Sequence, residues 1–179
     1  ILMASVLIDY AADYSGKPNR RSNDAMRYRQ FFSDINRDFP KVIYIAGNHE
    51  FYSGKFRETI TGLYSECEDY HNIHFLEDDY LIIDDTVFIG CTLWTDFNKG
   101  DPVSMYSVKN YLNDYRVITY DSGIYRRLIP EDTYKKHNNS VKYIQDTINK
   151  LKADGYQKFV VATHHSPSLL SIHDKYKDD

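Results

Sequence analysis

Apolar and polar positions alternate along the chain with two different periods, and the periods predict the elements. Residues 5–8 form a short apolar run that predicts a buried strand, followed by a loop over 14–19 (Tyr-Ser-Gly-Lys-Pro-Asn). Tyr28, Phe31, Phe32, Ile35 and Phe39 recur at three- and four-residue spacing, with Asn23 or Asp24 as cap and Pro40 as stop, which predicts a helix. Residues 41–46 (Lys-Val-Ile-Tyr-Ile-Ala) are continuously apolar after Lys41, the pattern of a strand covered on both faces. Phe56, Ile60, Leu63, Tyr64 and Cys67 predict a second amphipathic helix. The first seventy residues therefore read strand, helix, strand, helix, an α/β layered order with at least partly parallel strands.

Beyond them, strands are predicted over 73–76, 80–83 and 86–90, with Asp84-Asp85 as a hairpin turn between the last two. Residues 95–132 carry no strong period and are rich in tyrosine, so they are expected to be an irregular insertion bordering a cleft. A long helix over 133–153 follows, with Val141, Ile144, Ile148 and Leu151 on one stripe and Gly155 after its end. Residues 159–163 predict a last buried strand, and the charged tail 175–179 is expected to fray. The whole is expected to be one domain.

Composition narrows the function. The 22 Lys and Arg against 26 Asp and Glu give a net charge of −4, which leaves no excess for a broad nucleic-acid surface. It leaves room for an enzyme acting on a nucleotide. Two cysteines provide neither a disulfide framework nor a Cys-based zinc site, and a reduced, cytoplasmic setting is expected. No apolar run approaches the roughly 20 residues that a membrane helix needs, so no membrane partner is expected.

Two predicted strands end in polar clusters containing histidine, and ligands in layered α/β sheets collect at strand carboxyl ends. The first cluster is Gly47-Asn48-His49-Glu50. Asn48 offers a neutral oxygen suited to a divalent cation, and His49 beside Glu50 is an imidazole next to a carboxylate, as a proton donor requires. The residues alone leave a plain polar turn equally open. The second is Thr163-His164-His165-Ser166-Pro167-Ser168. Imidazole is a general ligand for transition metals, and alternation along an extended chain turns only one of the pair to a shared site. A hydrogen-bonded core histidine is the alternative there. His71, His74 and His137 read as structural, and Asp96 as part of a turn. A serine hydrolase using Ser166 or Ser168 lacks the Gly-x-Ser-x-Gly elbow.

Together these clusters resemble two signature blocks of the calcineurin-like metallophosphoesterases. The segments 88–97 (Phe-Ile-Gly-Cys-Thr-Leu-Trp-Thr-Asp-Phe) and 112–116 (Leu-Asn-Asp-Tyr-Arg) resemble a bacterial and phage branch of that family. The resemblance implies a β-sandwich flanked by helices and a site holding two divalent metals (Mn²⁺, Fe²⁺, Zn²⁺ or Ni²⁺) that hydrolyses a phosphate mono- or diester, a nucleotide among the candidates. By the same resemblance Asn48 and His164 are metal ligands, with His165 the alternative to His164. His49 is catalytic and Glu50 holds it. Asp13, with Asp9 second, takes the bridging position. The family's Asp-x-His and Gly-His-x-His motifs have no match here, and His173 does not supply the latter. The fold is therefore expected to be incomplete at both ends, with metal bound weakly by this chain and well by one carrying the flanks. The competing reading is a non-catalytic α/β binding module that has lost metal ligands.

Overall fold

The computed structural model describes residues 2–4, 23–121, 123 and 125–171. The strand expected over 5–8, the ligand candidates Asp9 and Asp13, His173 and the tail 175–179 lie outside the described residues. The order of elements is β1 (Leu2–Ala4), α1 (Asn23–Asp38), β2 (Val42–Tyr44), α2 (Phe56–Cys67), β3 (Ile73–Phe75), β4 (Asp79–Ile83), β5 (Thr86–Cys91), α3 (Phe97–Gly100), α4 (Pro102–Tyr111), α5 (Asp114–Val117), α6 (Pro130–Ala153) and β6 (Lys158–Thr163). The fold is mixed α/β, as the order of periods predicts.

The strands form two sheets of three. In the first, β1-β2-β3, every pair is parallel, with Val42 opposite Leu2 on one side and Ile73 on the other. In the second, β4-β5-β6, a hairpin through Asp84 and Asp85 makes the first pair antiparallel, and the α3–α6 crossover makes the second parallel. Asp84 takes a positive φ of 53° in that turn, a conformation aspartate tolerates better than most residues.

Side-chain alternation assembles these sheets into four layers. On β2 and its extension, Val42, Tyr44 and Ala46 face one way, into a cluster with Tyr28, Phe32 and Ile35 of α1 and Leu63 and Cys67 of α2. Ile43 and Ile45 face the other way and meet Leu76 and Phe88, with Leu81, Val160 and Ala162 of the second sheet packed against them. On β5 the same alternation sends Val87 and Ile89 outward onto Leu151, Ile144, Ile148 and Tyr143 of α6. The result is helix, sheet, sheet, helix. Each fully buried large apolar side chain contributes about 1.5–3 kcal/mol relative to exposure. Gly90 sits where the two sheets press together. A Cβ there would lie 2.5 Å from Leu76 Cβ and 2.9 Å from Ile45 Cγ2.

Several expected boundaries shift. Phe39 lies beyond α1 and is exposed, and Val141 is outside the α6 cluster, its place on the stripe taken by Tyr143. Helix α6 begins at Pro130 in the N1 position, three residues earlier than its apolar stripe suggests. The segment 95–132 is only partly irregular among its described residues. It holds α3, α4 and α5, and α4 is capped by Asp101, whose carboxylate accepts from Ser104 N at 2.7 Å with Pro102 in the first turn.

Candidate functional site

Strands β2, β5 and β6 all run to the same end of the two sheets, and their carboxyl termini bring the site together. After β2 the chain passes through Gly47 into a single 3-10 turn, Asn48–Phe51. Gly47 has φ −93° and ψ 179°, an extended conformation open to any residue, so turning does not require the glycine. Close approach does. A Cβ on Gly47 would lie 2.8 Å from His164 Cε1 and 3.0 Å from its Nδ1.

Glu50 closes this turn from inside. It is completely buried, its Oε2 accepts from Gly47 N at 2.7 Å and its Oε1 from the Tyr44 hydroxyl at 2.7 Å. Tyr44 is in turn hydrogen bonded to the Tyr28 hydroxyl. Burial pushes the Tyr44 hydroxyl well above its ordinary pKa, and Tyr28 and Glu50 add to the shift, so the phenol stays protonated and available as a donor. These bonds give Glu50 the task of fixing the turn that carries Asn48 and His49. His49, half-buried, stacks on Tyr52 with ring centroids 4.3 Å apart.

Asn48 and His164 meet across the sheets. His164 Nε2 lies 3.1 Å from Asn48 Oδ1, within the separation expected of two residues serving one site. The other end of the Asn48 amide donates from Nδ2 to Asp114 Oδ1 at 2.9 Å. Asp114 is buried, on α5 within the segment expected to border the cleft. That segment does reach the strand ends: Thr119 also pairs with the chain beside Lys55, donating to Gly54 O at 3.1 Å and accepting from Phe56 N at 2.8 Å. Residues 112–116 belong to the family-like pattern in the sequence, but only the fold gives Asp114 a role.

His165 turns elsewhere, as alternation requires. Its Nδ1 donates to the Thr92 carbonyl at 3.2 Å and its half-buried ring stacks on Trp94 at 5.3 Å. Burial holds both His164 and His165 below the ordinary imidazole pKa. For His164 the neighbouring His165 and His49 lower it further, while Asp114 pulls the other way. Both rings are thus disposed to be neutral, the form that binds a metal.

The chain leaves β5 through two left-handed residues, Leu93 (φ 68°) and Trp94 (φ 54°), a conformation costing an L-residue roughly 1–2 kcal/mol. His137 on α6 holds it, with Nδ1 3.1 Å from Leu93 O and 3.3 Å from Trp94 O. Lys136 beside it pairs with buried Glu77 at 2.9 Å, and Glu77 accepts from both Thr92 N and Thr92 Oγ1 at 2.8 Å. Burial works against the Lys136 charge, but Glu77 and Asp78 outweigh it and raise its pKa. His137 is therefore structural, as its sequence context suggests. Asp96 is a turn residue, accepting from Asn98 N and Lys99 N.

The donor set can be tested against a cation. Two ligand atoms each about 2.1 Å from one metal and about 90° apart would themselves be about 3.0 Å apart. Asn48 Oδ1 and His164 Nε2, at 3.1 Å, fit as two neighbouring ligands of one ion. Among the described residues no group of three or more His, Cys, Asp and Glu is placed to hold a metal. Both cysteines are buried and free, and among the described residues no helix is long and apolar enough to cross a membrane.

No family model matches the chain, and no solved structure matches it. An uncharacterized protein of Acanthamoeba polyphaga mimivirus is 29% identical over 145 residues, which cover 78% of this chain and 49% of that protein. The chain spans about half the length of the curated relative it matches.

Proposed function

We propose that this chain contributes metal-binding and proton-transfer residues to a phosphoesterase of the calcineurin-like type, hydrolysing a phosphate mono- or diester in a cytoplasmic setting. The observation that carries the reading is the 3.1 Å approach of Asn48 Oδ1 to His164 Nε2, which joins two histidine-bearing strand ends from different sheets. Asn48 and His164 would hold a divalent metal, with Asp13 as a further ligand and a second metal completing the centre. When bound, such metals polarise the phosphoryl oxygens and lower the pKa of a bound water. The chain's own residues supply the rest. His49, half-buried on the Tyr52 ring, is the proton donor to the leaving oxygen. Glu50 keeps the turn closed, so that Asn48 and His49 project from a fixed backbone. A nucleotide is among the candidate substrates, and Mn²⁺, Fe²⁺, Zn²⁺ and Ni²⁺ are the candidate metals.

The test is hydrolysis of p-nitrophenyl phosphate and bis-p-nitrophenyl phosphate by the whole protein, with each metal in turn. Metal-dependent turnover is expected, abolished by chelation and lowered about 100-fold or more by His49→Ala. A folded protein with no turnover under any of the four metals would instead favour the binding module.

A further inference from the structure

The site contains a residue whose chemistry leaves it one way to act on Asn48. A side-chain amide presents an oxygen on one side and an NH₂ on the other, and a half-turn about its last bond exchanges them. Only the oxygen can ligate a cation. Asp114 is buried, and an ionised carboxylate accepts hydrogen bonds without donating any. With Asp114 Oδ1 2.9 Å from one end of the amide, that end must be Nδ2, and Oδ1 is turned to His164. The reverse orientation would set the Asn48 oxygen against a buried carboxylate oxygen.

Helix α5 is itself fixed. The hydroxyl of Tyr115, next to Asp114, is 3.0 Å from Thr133 Oγ1 on α6, and Ile118 N bonds back to Asp114 O at 3.1 Å. The carboxylate therefore reaches Asn48 from a held position in an element remote from both strand ends in sequence.

We infer that Asp114 is a positioning residue that fixes which face of the Asn48 amide is offered beside His164, and so sets the affinity of the site for a divalent cation. This rests on the metal-binding reading above for its second half only. Partners behind the first ligands are worth about 10–100-fold in metal affinity where they have been removed.

Two readouts separate the halves. In the metal-free protein, the side-chain amide protons of Asn48 are followed by NMR in the wild type, Asp114→Asn and Asp114→Ala. The wild type should give one slowly exchanging pair. Asp114→Asn, whose amide can donate as well as accept, should lose that single orientation, and Asp114→Ala should exchange at solvent-like rates. Mn²⁺ alone is then titrated, followed by water-proton relaxation, and both variants should bind about 10-fold or more weaker. If either variant is unfolded by thermal melting, Asp114→Glu replaces it. That variant keeps an acceptor and should retain slow exchange, with a smaller loss of affinity. Amide signals identical in all the proteins would overturn the inference, as would altered signals with Mn²⁺ affinity unchanged. A wild type that binds no Mn²⁺, with amide signals that still respond to Asp114, would uphold the hold on Asn48 and overturn the phosphoesterase reading instead.

Discussion

At the scale of single residues, the paired histidines divide one task into two. His164 points to Asn48, while His165 donates to Thr92 O and lies on Trp94. Burial keeps the His165 ring below the ordinary imidazole value of 6.5, against the opposing pull of Thr92 and Asp114. The same ring titrates near 6.5 once the chain unfolds. Below about that pH the unfolded state takes up a proton that the folded state refuses, so stability present above it is lost as pH falls toward the lower folded value. His164 shifts in the same direction. In His165→Asn the amide keeps a donor for Thr92 O and has no proton to gain. The fall in urea midpoint between about pH 7.5 and about pH 5 should therefore be smaller in His165→Asn than in the wild type. Equal falls would locate the acid sensitivity in other groups.

Residue types told much of this in advance, but not all. The two clusters Gly47-Asn48-His49-Glu50 and His164-His165 are visible because apolar runs lead into them. Alternation says that only one of the paired histidines faces a shared site; the preference for His164 over His165 is what the family resemblance implies. The reading of Glu50 as the holder of His49 rests on their adjacency in sequence. The strand-to-turn geometry adds partners that adjacency does not reveal, the Tyr44 hydroxyl and the Gly47 amide. Asp114 lies in the family-like segment 112–116, but nothing local gives it a role, since its partner is 66 positions away.

At the scale of elements, the site exists because two strand ends approach more closely than side chains ordinarily allow. Gly47 after β2 faces the His164 ring after β6, and a methyl group there would sit 2.8 Å from Cε1. Gly47→Ala must move the turn or the imidazole. The expected cost is about 1–3 kcal/mol in stability, read by thermal or urea unfolding, together with weakened Mn²⁺ binding. Wild-type stability and affinity in Gly47→Ala would show that the strand ends are further apart than described here. The elements most faithfully predicted are those with strong apolar periods: α1, α2 and the β4–β5 hairpin; β6 has the predicted span but is half-buried to exposed, with Val161 42% exposed, where a buried strand is expected from its apolar run. Helix α4 escaped because Met105 is its sole buried residue, so it has little apolar stripe to detect. Its cap, Asp101 followed by Pro102, was the available sign.

At the scale of the whole molecule, three parallel strand ends, one long helix and one inserted segment converge on a small polar patch. Lys136 and His137 of α6 hold Glu77, Thr92 and the left-handed exit from β5, while α5 holds Asn48. The order of periods anticipates a layered α/β fold with partly parallel strands, while two sheets flanked by helices are what the family resemblance implies. The pairing of sheets through Ile43, Ile45, Leu76 and Phe88 could not be anticipated, because a strand covered on both faces does not reveal what covers each. The central claim is that Asn48 and His164 ligate one divalent cation. Mn²⁺ added in small, substoichiometric steps to ¹⁵N- and ¹³C-labelled protein tests it directly, because a bound paramagnetic ion broadens the nearest nuclei first. The His164 imidazole and the Asn48 side-chain amide are predicted to broaden before all other described residues and to recover when EDTA is added. Sharp signals from both, with broadening that begins at carboxylates elsewhere on the molecule, would contradict the claim.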